Sequence, residues 1–234
     1  SMERDELGRL GDERLTSIDD SGAVDWMFRV PPNSISSLSQ GLGGVIYFKT
    51  YDGVIYSLDA GGNIRWRFER LKIKYFDRPV VGSDGTIYVG TDQGLYALNP
   101  DGTVKWVARE DLELWDPSLS PKGDIIIAGR AAGSISYPFL YSFAPDGSLN
   151  WVYEKDPSGQ EITISSPPVI DAEGTIYIGD STNSGCCGYL RAINADGTLK
   201  WRYLVDNPTN LGVTIFAPAI GYCNRMYFIG NSIG

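Results

Sequence analysis

The stretch "DGTIYVGTDQGLYALNPDGTVKW", residues 84–106, holds three short runs of β-branched, aromatic and aliphatic residues separated by glycine turns. Runs of this kind are typical of β-strands, and the Asp-Gly pairs favour tight turns that require a positive φ. With "RPVVGS", residues 78–83, in front of it, the stretch predicts an antiparallel sheet of four strands, named A to D in chain order. Asp84-Gly85 then joins strands A and B, and Asp101-Gly102 joins strands C and D.

The end of this stretch recurs along the chain. Similar phrases end at five tryptophans, at successive spacings of 40, 40, 45 and 50 residues: Trp26, Trp66, Trp106, Trp151 and Trp201. A four-stranded propeller blade has about this length. Each tryptophan is expected to pack near the end of strand D against the next blade, with its indole N–H on a backbone acceptor. The chain is therefore predicted to be an all-β protein with a β-propeller fold.

The sequence ends partway through a copy of the repeat, just before a strand C. Gly230 aligns with Gly90, so Gly234 falls on the last residue before a strand C, whereas the phrase that starts at Leu15 lacks strands A and B. We therefore predict five four-stranded blades, closed by pairing of the N-terminal strands C and D with the C-terminal strands A and B. An excised fragment of a larger propeller is the alternative.

This phase also predicts the domain organisation. Residues 15–234 form a single propeller domain, and residues 1–14 form an N-terminal extension. The leading Ser-Met of that extension resembles the remnant of an expression tag.

Composition excludes several classes of function. The net charge of -9, without clustered Lys or Arg, argues against a nucleic-acid partner. No apolar run approaches the length needed for membrane insertion. The chain contains no histidine, which excludes Ser/His/Asp and Cys/His catalysis and histidine metal sites.

The repeated phrases carry a family resemblance. Residues 84–106, echoed by "EGTIYIGD" at 173–180 and "LRAINADGTLKW" at 190–201, resemble the repeat of the pyrroloquinoline quinone (PQQ)-like propellers. That family includes quinoprotein alcohol dehydrogenases, an outer-membrane-assembly lipoprotein and cell-surface proteins. The resemblance implies the propeller and favours an extracytoplasmic location, periplasmic or cell-surface, but it does not select one activity.

Two features bear on the dehydrogenase branch of the family. The resemblance to such enzymes implies an eight-bladed ring that holds the quinone and calcium through residues of several blades. This chain offers five units and no motif for those cofactor-binding residues. The adjacent Cys186 and Cys187 resemble the vicinal cysteines, joined by a disulfide, of methanol-dehydrogenase-like proteins. A loop with two small apolar side chains and a structural vicinal disulfide both remain open. We expect no cofactor, with PQQ and calcium as the alternative.

The two faces of the predicted ring differ. The A–B and C–D turns are short and nearly identical, and we call their side the uniform-turn face. The B–C and D–A connections vary in length, for example at 129–138 and 179–188, and form the loop-rich face. Variable loops on a repeated scaffold are where a binding site is expected.

Alignment of the strand A prolines places Arg78, Trp115, Asp116 and Phe216 near the channel mouth on the loop-rich face, and Tyr75 and Tyr137 lie in the variable connections of that face. These six are the candidate ligand-binding residues. Stacking and hydrogen-bonding groups of this kind suit a sugar, a peptide or a planar cofactor. The alternative is that Trp115 and Phe216 pack beneath the loops while Arg78 and Asp116 form ordinary ion pairs.

Acidic residues offer the remaining chemistry. Glu113, Asp116 and Glu161 lie in adjacent connections and could supply a carboxylate pair, and Asp180 with Asn183 offers oxygen ligands for calcium without the spacing of an EF-hand. The sequence nevertheless favours a non-catalytic binding propeller, whose partner is a small molecule, a glycan or a protein. A PQQ-dependent dehydrogenase or another enzyme is the alternative.

Overall fold

The structure is a computed structural model that describes residues 13–30, 38–50, 53–69, 78–134, 138–159, 162–181, 187–206, 213–221 and 225–232. These ranges consist of antiparallel strands joined by turns, with one 3-10 turn at Leu42–Gly44. Across them, no helix is both long enough and apolar enough to cross a lipid bilayer.

The first half of the chain forms a hairpin and two four-stranded sheets. The hairpin pairs β1 (Glu13–Ile18) with β2 (Val24–Val30). The first sheet contains β3 (Leu38–Gln40), β4 (Ile46–Lys49), β5 (Ile55–Leu58) and β6 (Ile64–Phe68). The second contains β7 (Val80–Val81), β8 (Ile87–Thr91), β9 (Gly94–Leu98) and β10 (Val104–Ala108).

The second half forms two more four-stranded sheets and two short strand pairs. The third sheet contains β11 (Leu112–Leu119), β12 (Ile125–Ala131), β13 (Phe139–Phe143) and β14 (Leu149–Tyr153). The fourth contains β15 (Val169–Ile170), β16 (Ile176–Ser181), β17 (Cys187–Ile193) and β18 (Leu199–Asp206). Finally β19 (Val213–Ile215) pairs with β22 (Gly230–Ser232), and β20 (Ala219–Ile220) pairs with β21 (Met226–Tyr227).

The predicted four-stranded units are confirmed. In each of the four sheets the strands follow one another in chain order, as strands A to D of a blade. The Asp-Gly turns also form as predicted, with φ of 83° at Gly85 and 88° at Gly102. In the second of these turns a carboxylate oxygen of Asp101 accepts the backbone N–H of Thr103 at 2.9 Å, which explains the preference for Asp.

Four of the repeated tryptophans join one blade to the next. Their indole N–H groups donate to a carbonyl in the next C–D turn: Trp26 to Ala60 at 2.8 Å, Trp66 to Pro100 at 2.9 Å, Trp106 to Pro145 at 3.2 Å and Trp151 to Ala195 at 3.0 Å. The same indole rings cover the positive-φ glycine of that turn, so the predicted packing of these four is confirmed. Fully buried side chains such as Leu95, Leu114 and Phe143 fill the space between neighbouring sheets.

Ring closure is not shown. Among the described strands β1 pairs with β2, and β20 pairs with β21, without a pairing between the two sets. Trp201 packs on Tyr177 of its own blade, with ring centroids 6.0 Å apart, but no described atom lies within 4 Å of a Cβ placed on Gly22. The five-blade closed ring therefore stays a prediction.

Candidate functional site

The first strand of each blade lines a central cavity of about 520 Å³. Residues of β3, β7, β11 and β15 surround it, and Arg78 is the charged residue among those that line it. Serine hydroxyls tie neighbouring strands together around the cavity: Ser39 Oγ donates to the Pro79 carbonyl, and Ser118 Oγ donates to the Pro168 carbonyl at 2.7 Å. These bonds fix the wall against which a ligand would rest.

Asp116, which interacts electrostatically with the cavity-lining residue Arg78, has an unusual backbone conformation. The register of β11 against β12 shifts between Trp115 and Ser118, and Asp116 has φ of 54°. Positive φ is uncommon outside glycine, although Asp tolerates it better than most residues. Burial raises the pKa of the Asp116 carboxyl, and the positive charges of Lys49 and Arg78 partly oppose that rise. The structure thus brings the predicted residues Arg78 and Asp116 into one electrostatic cluster.

Lys49 completes this cluster and was missed by the sequence analysis. It ends β4 opposite Ile55 and is only 1% exposed. The equivalent register position holds a small residue in each of the other three blades: Gly90, Ala128 and Gly179. The sequence could have indicated Lys49, because the repeat has glycine or alanine at this position in the other three blades. We call Lys49, Arg78 and Asp116 the mouth cluster.

Trp115 and Glu113 lie in a second arrangement next to the mouth cluster. Trp115 is partly buried against the core between the third and fourth blades, and the Arg130 guanidinium lies 5.7 Å from its ring centroid. Arg130 also donates through Nε and Nη2, both at 3.0 Å, to Oε2 of Glu113, which is 2% exposed. Trp115 therefore adopts the packed arrangement that the sequence left open, and the Glu113 carboxylate is held in an ion pair.

The other candidates are placed less fully. Phe216 lies between β19 and β20, is 49% exposed, and donates its backbone N–H to the Ile229 carbonyl at 3.0 Å. Tyr75, Tyr137, Glu161, Asn183 and Cys186 lie outside the described residues. Cys187 begins β17, and the vicinal disulfide is likewise outside what the structure describes.

A buried charge network under the loop-rich face was also missed by the sequence analysis. Arg191, 0% exposed, donates through Nε to Asp180 and through Nη1 to Asp156 at 3.0 Å. Burial raises the pKa of the Asp180 carboxyl, and Arg191 opposes that rise. The Asp180 carboxylate, which the sequence offered as a calcium ligand, therefore pairs with the Arg191 guanidinium. Over the described part of the chain, no three His, Cys, Asp or Glu side chains are grouped as a metal site requires.

The position of Arg191 in its blade is informative. The repeat places a tyrosine at the same position of strand C in the other three blades: Tyr56, Tyr96 and Tyr141. An arginine at a strand C position that holds tyrosine in the other three blades could have indicated that Arg191 has a different role from those tyrosines. Its partners, however, come from the end of β16 and from the turn after β14, which no local pattern connects.

Solved structures share this fold at low sequence identity. BamB from Moraxella catarrhalis matches with a TM-score of 0.60 and 17% identity over 94% of this chain and 64% of its own. The quinohemoprotein alcohol dehydrogenase ADHIIG from Pseudomonas putida HK5 matches at 0.57 and 16%, over 85% of this chain and 40% of its own. A europium-containing methanol dehydrogenase matches at 0.54 and 15%, over 81% and 48%.

These likenesses establish the propeller fold and nothing further. The chain spans less than two thirds of each of the three solved chains. No curated protein matches it by sequence.

The family is established by the sequence itself. A family model described as "Outer membrane protein assembly factor BamB" matches residues 11–187 and, in a second overlapping match, residues 78–232. Together the two matches span all the blades described above and most of the chain. The predicted PQQ-like propeller repeat is therefore confirmed, and the chain belongs to the PQQ-like propeller family of the outer membrane protein assembly factor BamB.

Proposed function

We propose that this chain is a non-catalytic binding propeller whose ligand is held at the channel mouth of the loop-rich face. The observation that carries the proposal is the mouth cluster, in which Asp116 is held at positive φ between the charges of Lys49 and Arg78. Backbone strain and perturbed ionisable groups concentrate at functional sites. The three residues lie in β4, just before β7 and in β11, so the proposal does not require ring closure.

A protein segment is the favoured ligand among the small molecules, glycans and proteins that the sequence left open. The family is described by an assembly factor, which supports a protein partner and an extracytoplasmic location. The cavity of about 520 Å³ has room for a few inserted side chains but not for a folded partner. Arg78, exposed at its rim, would bind a carboxylate or carbonyl of the inserted segment.

The mouth cluster does not fit the quinone and calcium of the dehydrogenases in this family. Calcium takes six to eight oxygen ligands, several of them carboxylates. Here a single described carboxylate, Asp116, lies under the influence of two cations, which would repel a third. We therefore derive no catalytic step through that cofactor.

The test is a binding screen with matched variants. Libraries of peptides, glycans and PQQ with calcium are applied, and the best ligand is titrated by calorimetry against wild type, Arg78→Ala and Lys122→Ala. Lys122 is an exposed cation in an A–B turn on the uniform-turn face, so it controls for loss of charge. We expect at least a tenfold loss of peptide affinity for Arg78→Ala and no change for Lys122→Ala.

Two outcomes would contradict the proposal. One is a best ligand that ignores Arg78→Ala but loses affinity with Lys122→Ala, which would place binding on the opposite face. The other is a bound quinone chromophore with dye-linked alcohol oxidation, which would make the chain an enzyme.

A further inference from the structure

The turn that follows β14 places one of its side chains inside the fourth blade. Within residues 154–159, which we call the strap, Asp156 is 4% exposed, whereas the residues on either side of it are exposed. Its Oδ2 accepts hydrogen bonds from Nη1 of Arg191, at 3.0 Å, and from Nη1 of Arg202. One carboxylate oxygen of the strap thus joins two arginines of the fourth blade.

The other carboxylate oxygen of Asp156 belongs to the turn itself. Oδ1 accepts the backbone N–H of Ser158 at 2.8 Å and its hydroxyl at 2.5 Å. In a C–D turn of the uniform-turn face, the exposed Asp146 accepts the same two bonds from Ser148, at 2.9 Å and 2.6 Å. The turn conformation therefore explains the role of Oδ1 but not the burial of Oδ2 against two guanidinium groups.

Asp156 leaves two hydrogen-bond donors beside it unused. Arg191 Nη2 and the Tyr153 hydroxyl are both buried, and neither has a hydrogen-bond partner among the described residues. Burial raises the pKa of the Tyr153 phenol, and the nearby Arg191 guanidinium partly opposes that rise, so the hydroxyl stays protonated and able to donate. Buried donors are normally paired with an acceptor, so these two indicate that the site suits a larger acceptor than one carboxylate oxygen.

The donors lie around the position that the Asp156 carboxylate occupies. Nη1 and Nη2 belong to the same planar guanidinium of Arg191, which suits a bidentate oxyanion, and Arg202 reaches the same oxygen of Asp156. The Tyr189 ring centroid lies 4.9 Å from the guanidinium of Arg191 and 5.1 Å from that of Arg202, which fixes both groups. An anion with several oxygen atoms would engage more of these donors than Asp156 does.

The charges favour the exchange of Asp156 for one free anion. Two arginines face two carboxylates here, because Asp180 accepts from Arg191 Nε and from the Tyr189 backbone N–H. Without Asp156, two positive charges would face one negative charge, and a singly charged anion would restore the balance. The Arg202 side chain is 34% exposed, so a solvent ion reaches the site from this side.

We propose that Arg191, Arg202 and Tyr153 form a binding site for a small free oxyanion, and that the strap closes this site with its own Asp156. The ligand is small and unattached, because Arg191 is 0% exposed and a carrier molecule would have to enter between the third and fourth blades. The oxyanion binds only when the strap opens, so the bound oxyanion and the closed strap exclude each other. This site is separate from the mouth cluster and does not depend on ring closure.

Rescue of a strap variant tests the site. Asp156→Ala removes the resident carboxylate, and its melting temperature is measured in sodium chloride and in sodium phosphate of equal ionic strength, at a pH where phosphate is singly charged. We expect saturating phosphate to raise the melting temperature by about 5 °C, and the concentration dependence gives the Kd. Phenyl phosphate should give no such rise, because its ring would have to enter with the anion.

Asp146→Ala is the matched control for this rescue. It loses the same two turn hydrogen bonds, but at an exposed carboxylate on the uniform-turn face. Phosphate stabilises folded proteins in general, so the rise for Asp156→Ala is counted relative to this control. Asp156→Ser, which restores one hydroxyl to the turn, replaces the alanine variant if that variant does not fold.

Hydrogen exchange of the wild-type protein tests whether phosphate displaces the strap. The reporters are the backbone amides of Ser158 and Gly159, which donate to Oδ1 and to the backbone carbonyl of Asp156, both at 2.8 Å. Because phosphate binds only the open strap, phosphate at ten times its Kd should speed the exchange of both amides by about tenfold. The Ser148 amide in the matched turn should exchange at an unchanged rate.

Four results would overturn the proposal. If phosphate raises the melting temperature of Asp156→Ala no more than that of Asp146→Ala, the donors bind no oxyanion. Rescue with unchanged exchange at Ser158 and Gly159 would show that the donors serve only to anchor Asp156. Equal acceleration at Ser148 would make the effect of phosphate a general one. Rescue by phenyl phosphate as strong as by phosphate would show that the ligand need not be a free anion.

Discussion

The backbone carbonyl of Leu114 lies against Gly90 across the boundary between the second and third blades, so closely that a Cβ on Gly90 would stand 2.5 Å from that oxygen. Leu114 belongs to β11, two residues before Asp116. The glycine therefore sets how near β11 comes to the second blade, and with it the position of the mouth cluster.

Gly90→Ala should consequently separate the two blades. Backbone atoms cannot move aside cheaply, so we expect the free energy of unfolding, measured in urea, to fall by about 2 kcal/mol. Gly61→Ala is the control, because the nearest atoms to its Cβ belong to the flexible side chains of Asn63 and Asp59 at 3.3 and 3.4 Å. Its change should stay within about 0.5 kcal/mol. Equal losses in both variants would contradict the close-approach explanation.

The Asp116 carboxyl should make stability fall as the pH rises. Its pKa is raised from the ordinary 3.8 chiefly by burial, so the folded protein binds this proton more tightly than the unfolded chain. Its contribution to stability is therefore full below about pH 3.8 and is lost as the pH passes the raised value. Asp116→Asn removes the cost of ionisation and suits positive φ.

We accordingly expect Asp116→Asn to melt at a higher temperature than wild type at pH 7, with the difference shrinking toward pH 4. Asp116→Ala, which loses the charge but not the backbone strain, should gain less. If wild type instead melts at a higher temperature than Asp116→Asn by the same amount across this pH range, Asp116 is not a buried carboxylate whose ionisation costs stability.

Asp84 should act in the opposite direction. Its carboxylate accepts the Thr86 backbone N–H at 3.0 Å and hydroxyl at 2.7 Å and pairs with Lys105, which holds its pKa at about 2. This stability is present above pH 3.8 and is lost as the pH falls to about 2. Asp84→Asn should lower the free energy of unfolding at pH 7 by about 1 kcal/mol, after allowance for solvent screening.

The control for Asp84 is Glu110→Gln, at an exposed carboxylate. It should leave the free energy of unfolding at pH 7 within about 0.5 kcal/mol of wild type. If the difference in the free energy of unfolding between Asp84→Asn and wild type does not change with pH, the lowered pKa of Asp84 is refuted.

Arg191 should be costly to remove alone. Arg191→Leu leaves Asp180 buried without its cation and leaves Asp156 paired with Arg202 alone, so we expect a loss of about 3 to 5 kcal/mol in urea unfolding. The triple variant Arg191→Leu, Asp156→Asn, Asp180→Asn removes all three charges and should recover part of that loss. A triple variant less stable than the single one would mean that packing, and not charge, dominates at this site.

The parts of the fold that sequence could predict are those repeated in every unit. The Asp-Gly turns and the strand D tryptophans recur at fixed phase, so each copy corroborated the others, as Trp66 and Trp106 show. Ring closure could not be predicted with the same support, because it requires pairing between strands at opposite ends of the chain, and the described strands show no such pairing.

The candidate site was predictable only where it follows the repeat. Arg78 and Asp116 were found because proline aligns strand A, but Lys49 and Arg191 are departures from the repeat that matter through residues distant in sequence. Asp156, for example, lies 35 positions from Arg191 and meets it only when two separate connections fold together. Burial and long-range charge pairing are consequences of the assembled blades.

Arg191, at a position where the other blades have tyrosine, has a consequence for correct pairing of the repeats during folding. Near-identical repeats can pair with the wrong neighbour, and such misassembly is a characteristic failure of repeat proteins. A strand C that contains Arg191 placed in another blade would bury a guanidinium away from Asp156 and Asp180, at a cost of several kcal/mol. This one position therefore penalises assembly one blade out of step and marks the fourth unit as different from its neighbours.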